Sequence, residues 1–238
     1  MNELTILKIV PDWGDATNAI YPVLLRDEEH LVLVDCGFVG SYPLLCEALE
    51  SHGVSPDALT HVIITHHDHD HVGALAALKR DNPRIQAVSS MAEAPYIAGE
   101  EPSLRLTQAR AIQPKLTGDA EAAGLGFIGL LEQVEAAQVD TTVSDGDVLP
   151  FCGGCRVIAT PGHTLGHLSL YLPALDTLIA GDAAVLGAGK LTIANAQYAQ
   201  DLAQAELSLQ KIISIGAKTI VCYHGGVLTR GAVHTSEQ

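Results

Sequence analysis

Residues 66–71 read His-His-Asp-His-Asp-His, six consecutive imidazole and carboxylate side chains directly after the apolar run His61-Val62-Ile63-Ile64-Thr65. Such a run cannot be buried without partners, because desolvated polar and charged groups are costly unless paired. It is also too concentrated to be explained by solubility. Five of the chain's 11 histidines fall between His61 and His71. Imidazole and carboxylate together form a donor set for Zn²⁺, Fe²⁺ or Mn²⁺. Whatever fold the chain adopts must therefore present this cluster at the end of a buried strand and bring compensating groups to it.

The flanking pattern predicts how that is done. Strands are expected over 4–10, 19–26 and 31–35, the last containing the continuously apolar Leu31-Val32-Leu33-Val34 of a strand buried on both faces. Ser41 and Pro43 open a helix that Gly53 ends. The 61–65 strand, the cluster, a helix over 72–80 and a strand over 85–89 complete an α/β order. Residues 91–140 switch to a mostly helical pattern broken by Pro95, Pro102, Pro114 and Gly118, and read as an insertion or cap. Its 123–137 stretch would roof a pocket or form a dimer contact. Strands return over 141–143, 148–151, 156–160, 168–172 and 177–180, followed by an amphipathic helix over 198–215 and a strand over 219–222. Cys152-Gly153-Gly154-Cys155 reads as a tight hairpin with two bystander thiols, since no second C-x-x-C pair accompanies it.

Composition narrows the class. With 13 basic and 28 acidic residues the net charge is −15, which leaves no electrostatic footprint for a nucleic-acid backbone. The N-terminus lacks the basic region of a signal peptide, and no uncharged span is long enough for a membrane helix. Five sparsely placed cysteines do not form a disulfide framework, so a cytoplasmic protein with reduced thiols is expected. The 238 residues are expected to form a single domain, 1–238, with 91–140 as its cap.

The cluster resembles the His-x-His-x-Asp-His signature of the metallo-β-lactamase superfamily. In the register beginning at His66 the template meets His66, Asp68, Asp70 and His71, with Asp68 in place of the second His. Thr160-Pro161-Gly162-His163, Ile179-Ala180-Gly181-Asp182 and Cys222-Tyr223-His224-Gly225 resemble the superfamily's later motifs, in order and each after an expected strand. Asp35-Cys36-Gly37 resembles its Asp-x-Gly element, with Asp35 fixing a loop rather than ligating. The resemblance implies a four-layer αβ/βα sandwich with a helical insertion. It also implies two divalent metals, zinc in the first instance with iron(II) or manganese(II) as alternatives. His66, Asp68 and His163 would hold one and Asp70, His71 and His224 the other, with Asp182 bridging. Asp70 would also act catalytically on the nucleophile or its proton. His167 is expected to orient the site, and His67 and His69 to cap or line the loop. Tyr198 and Tyr223 are candidate donors to an oxyanion, whereas His30, His52, His61 and His234 read as surface or strand-end residues.

The implied activity is hydrolysis of a small ester, lactone or thioester by a hydroxide activated between two metals, with small molecules rather than nucleic acid or membrane as partners and a homodimer as an open expectation. Two other readings accompany it: an iron-dependent dioxygenase of a sulfur substrate, and a non-catalytic metal-binding protein. The third carboxylate, Asp68, would let three carboxylates and one hydroxide balance two divalent metals. That balance leads to an expectation of weak attraction for anionic substrates and of tolerance for the harder metals.

Overall fold

The computed structural model describes residues 2–12 and 14–230, so His234 lies outside the described residues. The first half of the chain lays down β1 (Glu3–Ile6), β2 (Val23–Arg26), β3 (Leu31–Val34), α1 (Tyr42–Ser51), β4 (His61–Ile63), α2 (Leu75–Asp81) and β5 (Gln86–Ser90). Three helices, α3 (Ala94–Ile97), α4 (Leu104–Ile112) and α5 (Asp119–Leu131), intervene before β6 (Thr141–Val143). These strands form one sheet in the order β1-β2-β3-β4-β5-β6, antiparallel at the first two pairings and parallel from β3 onward. The second half runs β7 (Val148–Leu149), β8 (Cys155–Ala159), β9 (Leu168–Leu172), β10 (Thr177–Ile179), β11 (Val185–Gly187), β12 (Lys190–Thr192), α6 (Leu202–Ser214), β13 (Thr219–Cys222) and β14 (Gly226–Thr229). Its main sheet is ordered β14-β13-β10-β9-β8-β7, and β11 and β12 form a separate hairpin.

Period-two alternation sorts the side chains into layers. Val23, Leu25, Val32, Val34, Ile63 and Val88 of the first sheet pack against Val157, Leu170, Ile179 and Val221 of the second, forming the central core. Their neighbours Leu24, Leu33, Val62 and Ala87 face outward onto Leu45 and Leu49 of α1 and Leu75 and Leu78 of α2. On the opposite side, Ile158, Leu178 and Ile220 face Ile212 of α6. The result is the four-layer α/β/β/α sandwich, with α3 to α5 inserted between β5 and β6.

Several boundaries differ from the sequence reading. The first strand stops at Ile6, and Ile9 contributes only a single bridge to Ile20. The helix after the His/Asp run begins at Leu75 rather than Val72, because residues 65–74 are held as an irregular loop by backbone bonds from Cys36 N to the His71 carbonyl and from Gly73 N to the Gly37 carbonyl. α6 begins at Leu202, where the Asp201 side chain accepts a hydrogen bond from Gln204 N, and Ala196–Tyr198 is a separate 3₁₀ turn. The Cys152-to-Cys155 segment does turn between paired strands β7 and β8, and all five cysteines are free. Among the described residues no helix is long and apolar enough to cross a membrane.

Candidate metal centre

Each expected donor follows the carboxyl end of a strand. β4 leads to His66, β8 to His163, β10 to Asp182 and β13 to His224. Because β10 and β13 are parallel neighbours, Asp182 and His224 leave the second sheet on the same side. The seven residues converge into overlapping triads whose candidate ligand atoms lie within 4.8 Å of one another: His66, Asp68 and His163; His66, His71 and Asp182; and Asp70, His71 and His224. Asp182 faces both ends of the cluster. One oxygen is 3.3 Å from His71 Nε2 and 3.5 Å from His224 Nε2, and the other is 3.5 Å from His163 Nε2. His66 and His71 are fully buried, and His224 and Asp70 are the most open members.

The chain fixes the orientation of these rings. Asp35, held at a left-handed φ of 57°, accepts from Thr65 N and Thr65 Oγ1 and lies 2.9 Å from His71 Nδ1. With Thr65 Oγ1 donating to Asp35, that hydroxyl accepts from His66 Nδ1 at 3.1 Å. With Nδ1 anchored, each imidazole turns its Nε2 inward, the arrangement of metal-ligating histidines. His66 Nε2, His71 Nε2 and Asp182 Oδ1 are buried without a hydrogen-bond partner. Buried polar atoms are ordinarily paired, so three orphaned ligand-type atoms gathered within the His66, His71 and Asp182 triad fit a cation.

His167 is held away from that space. Its Nε2 accepts from Asp182 N at 2.9 Å and its Nδ1 donates to Thr160 Oγ1. Thr160 in turn donates to Ser169, which donates to the Ala180 carbonyl. This relay grips the Asp182 turn from both sides. Burial and the neighbouring imidazoles hold His167 well below the usual histidine range, in keeping with the neutral ring the relay requires. The Tyr223 hydroxyl donates to the Asp70 carbonyl and accepts from Gly37 N, so it fixes the loop and is not a free oxyanion donor.

Two residues that sequence reasoning missed complete the surroundings. Glu93, 1% exposed, accepts from His67 N and Gly166 N at 2.9 Å each and from Thr164 Oγ1 at 2.7 Å, and it pairs with the His67 ring. It thereby ties the His66–His71 loop to the His163 loop, while Tyr96 stacks on His67 at 4.5 Å. Arg105 of α4 places Nη2 2.6 Å from Asp68 Oδ2. Burial acts to raise the Asp68 carboxyl, but His163, His66 and Arg105 outweigh it and hold the group well below the ordinary carboxylate range. The guanidinium also corrects the charge balance expected from sequence. It cancels the additional carboxylate, so weak attraction for anions no longer follows from Asp68.

Five of the seven expected donors, Asp68, Asp70, His163, Asp182 and His224, line a cavity of about 600 Å³ whose walls include Phe127 and Leu130 of α5, Val185, Asn195 and Tyr198. His69 lies at its side with its ring edge-on to Phe127 at 5.6 Å. His30 and His61 sit near Phe151 away from the cluster, and His52 is exposed.

A four-layer sandwich with His and Asp donors gathered at the strand ends defines a metal-site protein of the kind the motifs resemble. The family model of the metallo-beta-lactamase superfamily matches residues 17–224, and the chain belongs to that superfamily. It is 30% identical over 221 residues to a hydroxyacylglutathione hydrolase of Salmonella paratyphi B, covering 91% of this chain and 64% of that protein. It is 28% identical over 169 residues to the probable metallo-hydrolase YflN of Bacillus subtilis, covering 70% of this chain and 60% of that one. The chain thus spans about two thirds or less of the length of these curated relatives. Among solved structures, the metallo-beta-lactamase family protein TTHA1429 from Thermus thermophilus shares the fold at a TM-score of 0.74 with 22% identity, covering 95% of this chain and 74% of that one. The archaeal superfamily protein ST1585 from Sulfolobus tokodaii does so at 0.69 with 18% identity, covering 96% and 82%.

Proposed function

We propose that the protein is a metal-dependent hydrolase of a small ester, lactone or thioester, acting through two divalent ions, zinc in the first instance. His66, Asp68 and His163 would hold one ion and Asp70, His71 and His224 the other, with Asp182 between them. The observation that carries this reading is the three overlapping His/Asp triads, with Asp182 near His71, His163 and His224 and with buried ligand-type atoms left unpaired, beside a substrate-sized cavity. The hydroxyacylglutathione hydrolase relative supports thioesters within that class. When bound, a metal pair of this kind lowers the pKa of water toward about 7 and stabilises negative charge developing on a substrate oxygen.

The chain's own residues supply the rest. Asp70 is open to the cavity and 3.2 Å from His224 Nε2, and it is assigned to orient the attacking water and take its proton. Tyr223 holds Asp70 through its backbone, so that the carboxylate can face substrate without swinging away. Phe127 and Leu130 give the cavity an apolar wall on the side of α5. The chain is read as a cytoplasmic protein acting on a small-molecule partner. The chain is read as one catalytic domain capped by residues 91–140.

The test is a panel of ester, lactone, thioester and phosphoester substrates after defined metal loading, with Asp182→Ala alongside. Activity is expected on at least one carboxylic ester class and is expected to fall at least about 100-fold in the variant. Undiminished turnover by Asp182→Ala would remove the bridging assignment. A metallated protein inert across the panel would favour metal binding without catalysis.

A further inference from the structure

Where the superfamily signature carries a second histidine, this chain carries Asp68, and the structure places a buried cation against it. Arg105 and Asp68 are only 5% and 7% exposed at their side chains, and Nη2 to Oδ2 is 2.6 Å. The same Asp68 oxygen lies 3.0 Å from His163 Nε2 and 3.6 Å from His66 Nε2. The guanidinium is itself held in place. Its Nη1 donates to the Tyr198 carbonyl at 2.9 Å and to Gln108 at 3.1 Å, and its carbon lies 5.0 Å from the centre of the Tyr198 ring. Arg105 therefore joins the His/Asp loop, the inserted helix α4 and the 3₁₀ turn at Ala196–Tyr198 through one planar fork, a geometry lysine cannot reproduce.

Charge counting gives this contact its meaning. A centre built on the family signature has two carboxylates, Asp70 and Asp182 in this numbering. Here there are three, and a guanidinium replaces the missing balance, so the sum is again two negative charges. We propose that Arg105 is a positioning residue of the metal centre. It compensates Asp68 and holds its carboxylate toward His66 and His163, so that Asp68 and Arg105 together perform the part of one neutral histidine. The assignment rests on the metal-binding reading of the site. It implies that the two positions are coupled: changing either alone unbalances the centre, whereas changing both to a neutral pair restores it.

The experiment is a double-variant cycle on the full chain, made of Asp68→His, Arg105→Met and the two combined. Zinc stoichiometry and affinity are measured by chelator competition, and the cobalt(II) visible spectrum reports on the ligand field. Asp68→His alone leaves a buried guanidinium beside the ions and is expected to weaken one of the two metals at least tenfold. Arg105→Met leaves the Asp68 carboxylate uncompensated, taking the centre from two negative charges to three, and is expected to tighten that metal at least tenfold and shift the cobalt bands; an affinity and a spectrum equal to those of the unaltered protein would overturn the assignment. The combined variant is expected to return to within about threefold of the unaltered protein. Should Arg105→Met fail to fold without metal, the comparison of Asp68→His with the combined variant decides alone, since both lack the unpaired carboxylate. Asp68→His binding both metals as tightly as the unaltered protein, or no tighter binding in the combined variant than in Asp68→His, would overturn the assignment while leaving the metal reading intact. An unaltered protein that took up no metal would overturn both.

Discussion

Glu93 shows how much can depend on a residue with no sequence signature. One carboxylate accepts from the backbone of two loops and from a threonine hydroxyl, all of them buried. Each donor left without its acceptor costs about 1–3 kcal/mol. Glu93→Ala is therefore expected to destabilise the fold by about 3 kcal/mol or more, read as a lower urea midpoint at constant slope, with Glu93→Gln losing less than half as much. A loss below about 1 kcal/mol in the alanine variant would show that the loops are held by other contacts. The candidate metal donors are legible in the sequence because chemistry-bearing residues at the ends of apolar strands stand out against the surrounding pattern. Glu93 and Arg105 are not, because they lie in the inserted region and reach partners 26 to 73 positions away in sequence, where no spacing rule applies.

At the scale of elements, helix α6 and the His163 loop depend on a close backbone approach. Gly162 has φ +133°, and a Cβ built there would sit 2.2 Å from Ala205 N. The same contact carries bonds from Asp201 N to the Gly162 carbonyl and from Gln200 N to the His163 carbonyl. Gly162→Ala would force the helix and the loop apart and strain the backbone. A loss of about 2–3 kcal/mol in stability is expected, together with weaker metal uptake through His163. Unchanged thermal stability and metal content would refute the close-approach argument. The Pro-Gly-His motif thus carries a packing constraint as well as a donor. Strand and helix types followed from periodicity, but several ends did not. Periodicity extends the α6 pattern back to Tyr198, but Ala196–Tyr198 is a separate 3₁₀ turn. The β11–β12 hairpin, which the strand pattern does not reveal, turns at Ala188 and Gly189, and the Gly187-Ala188-Gly189 run is the signal that marks it.

For the whole molecule, the two sheets and their helices are joined by carboxylates whose acidity depends on the fold. Asp27 follows β2 yet accepts from Cys152 N, in the turn between β7 and β8 of the other sheet, as well as from Glu29 N and His30 N. Burial acts to raise its carboxyl, and these N–H groups with the His30 ring more than offset that, leaving it at about 2. Asp140 and Asp145 are likewise held below the ordinary range against the cost of burial. Lys79 and Ala87 N do so for Asp140, Ala159 N and Lys211 for Asp145. A carboxyl whose folded pKa is depressed stabilises the protein above its unfolded value, and that contribution disappears as the pH falls through the folded value. Thermal stability is therefore expected to decline as the pH drops from the ordinary carboxylate value near 4 toward about 2. The decline should be shallower in Asp27→Asn, as followed by scanning calorimetry. An identical slope in the variant would exclude Asp27 as a contributor.

The distribution of donors along the chain has a further consequence for the order of events in folding. His66, Asp68, Asp70 and His71 come from the first sheet's half, whereas His163, Asp182 and His224 come from the second's. Neither half can complete a metal site, and the pieces are separated by the entire capped insertion. A cation arriving before the sheets have docked meets only a partial set of ligands. Metal capture should then follow assembly instead of nucleating it, and it should slow the separation of the halves more than it speeds their union.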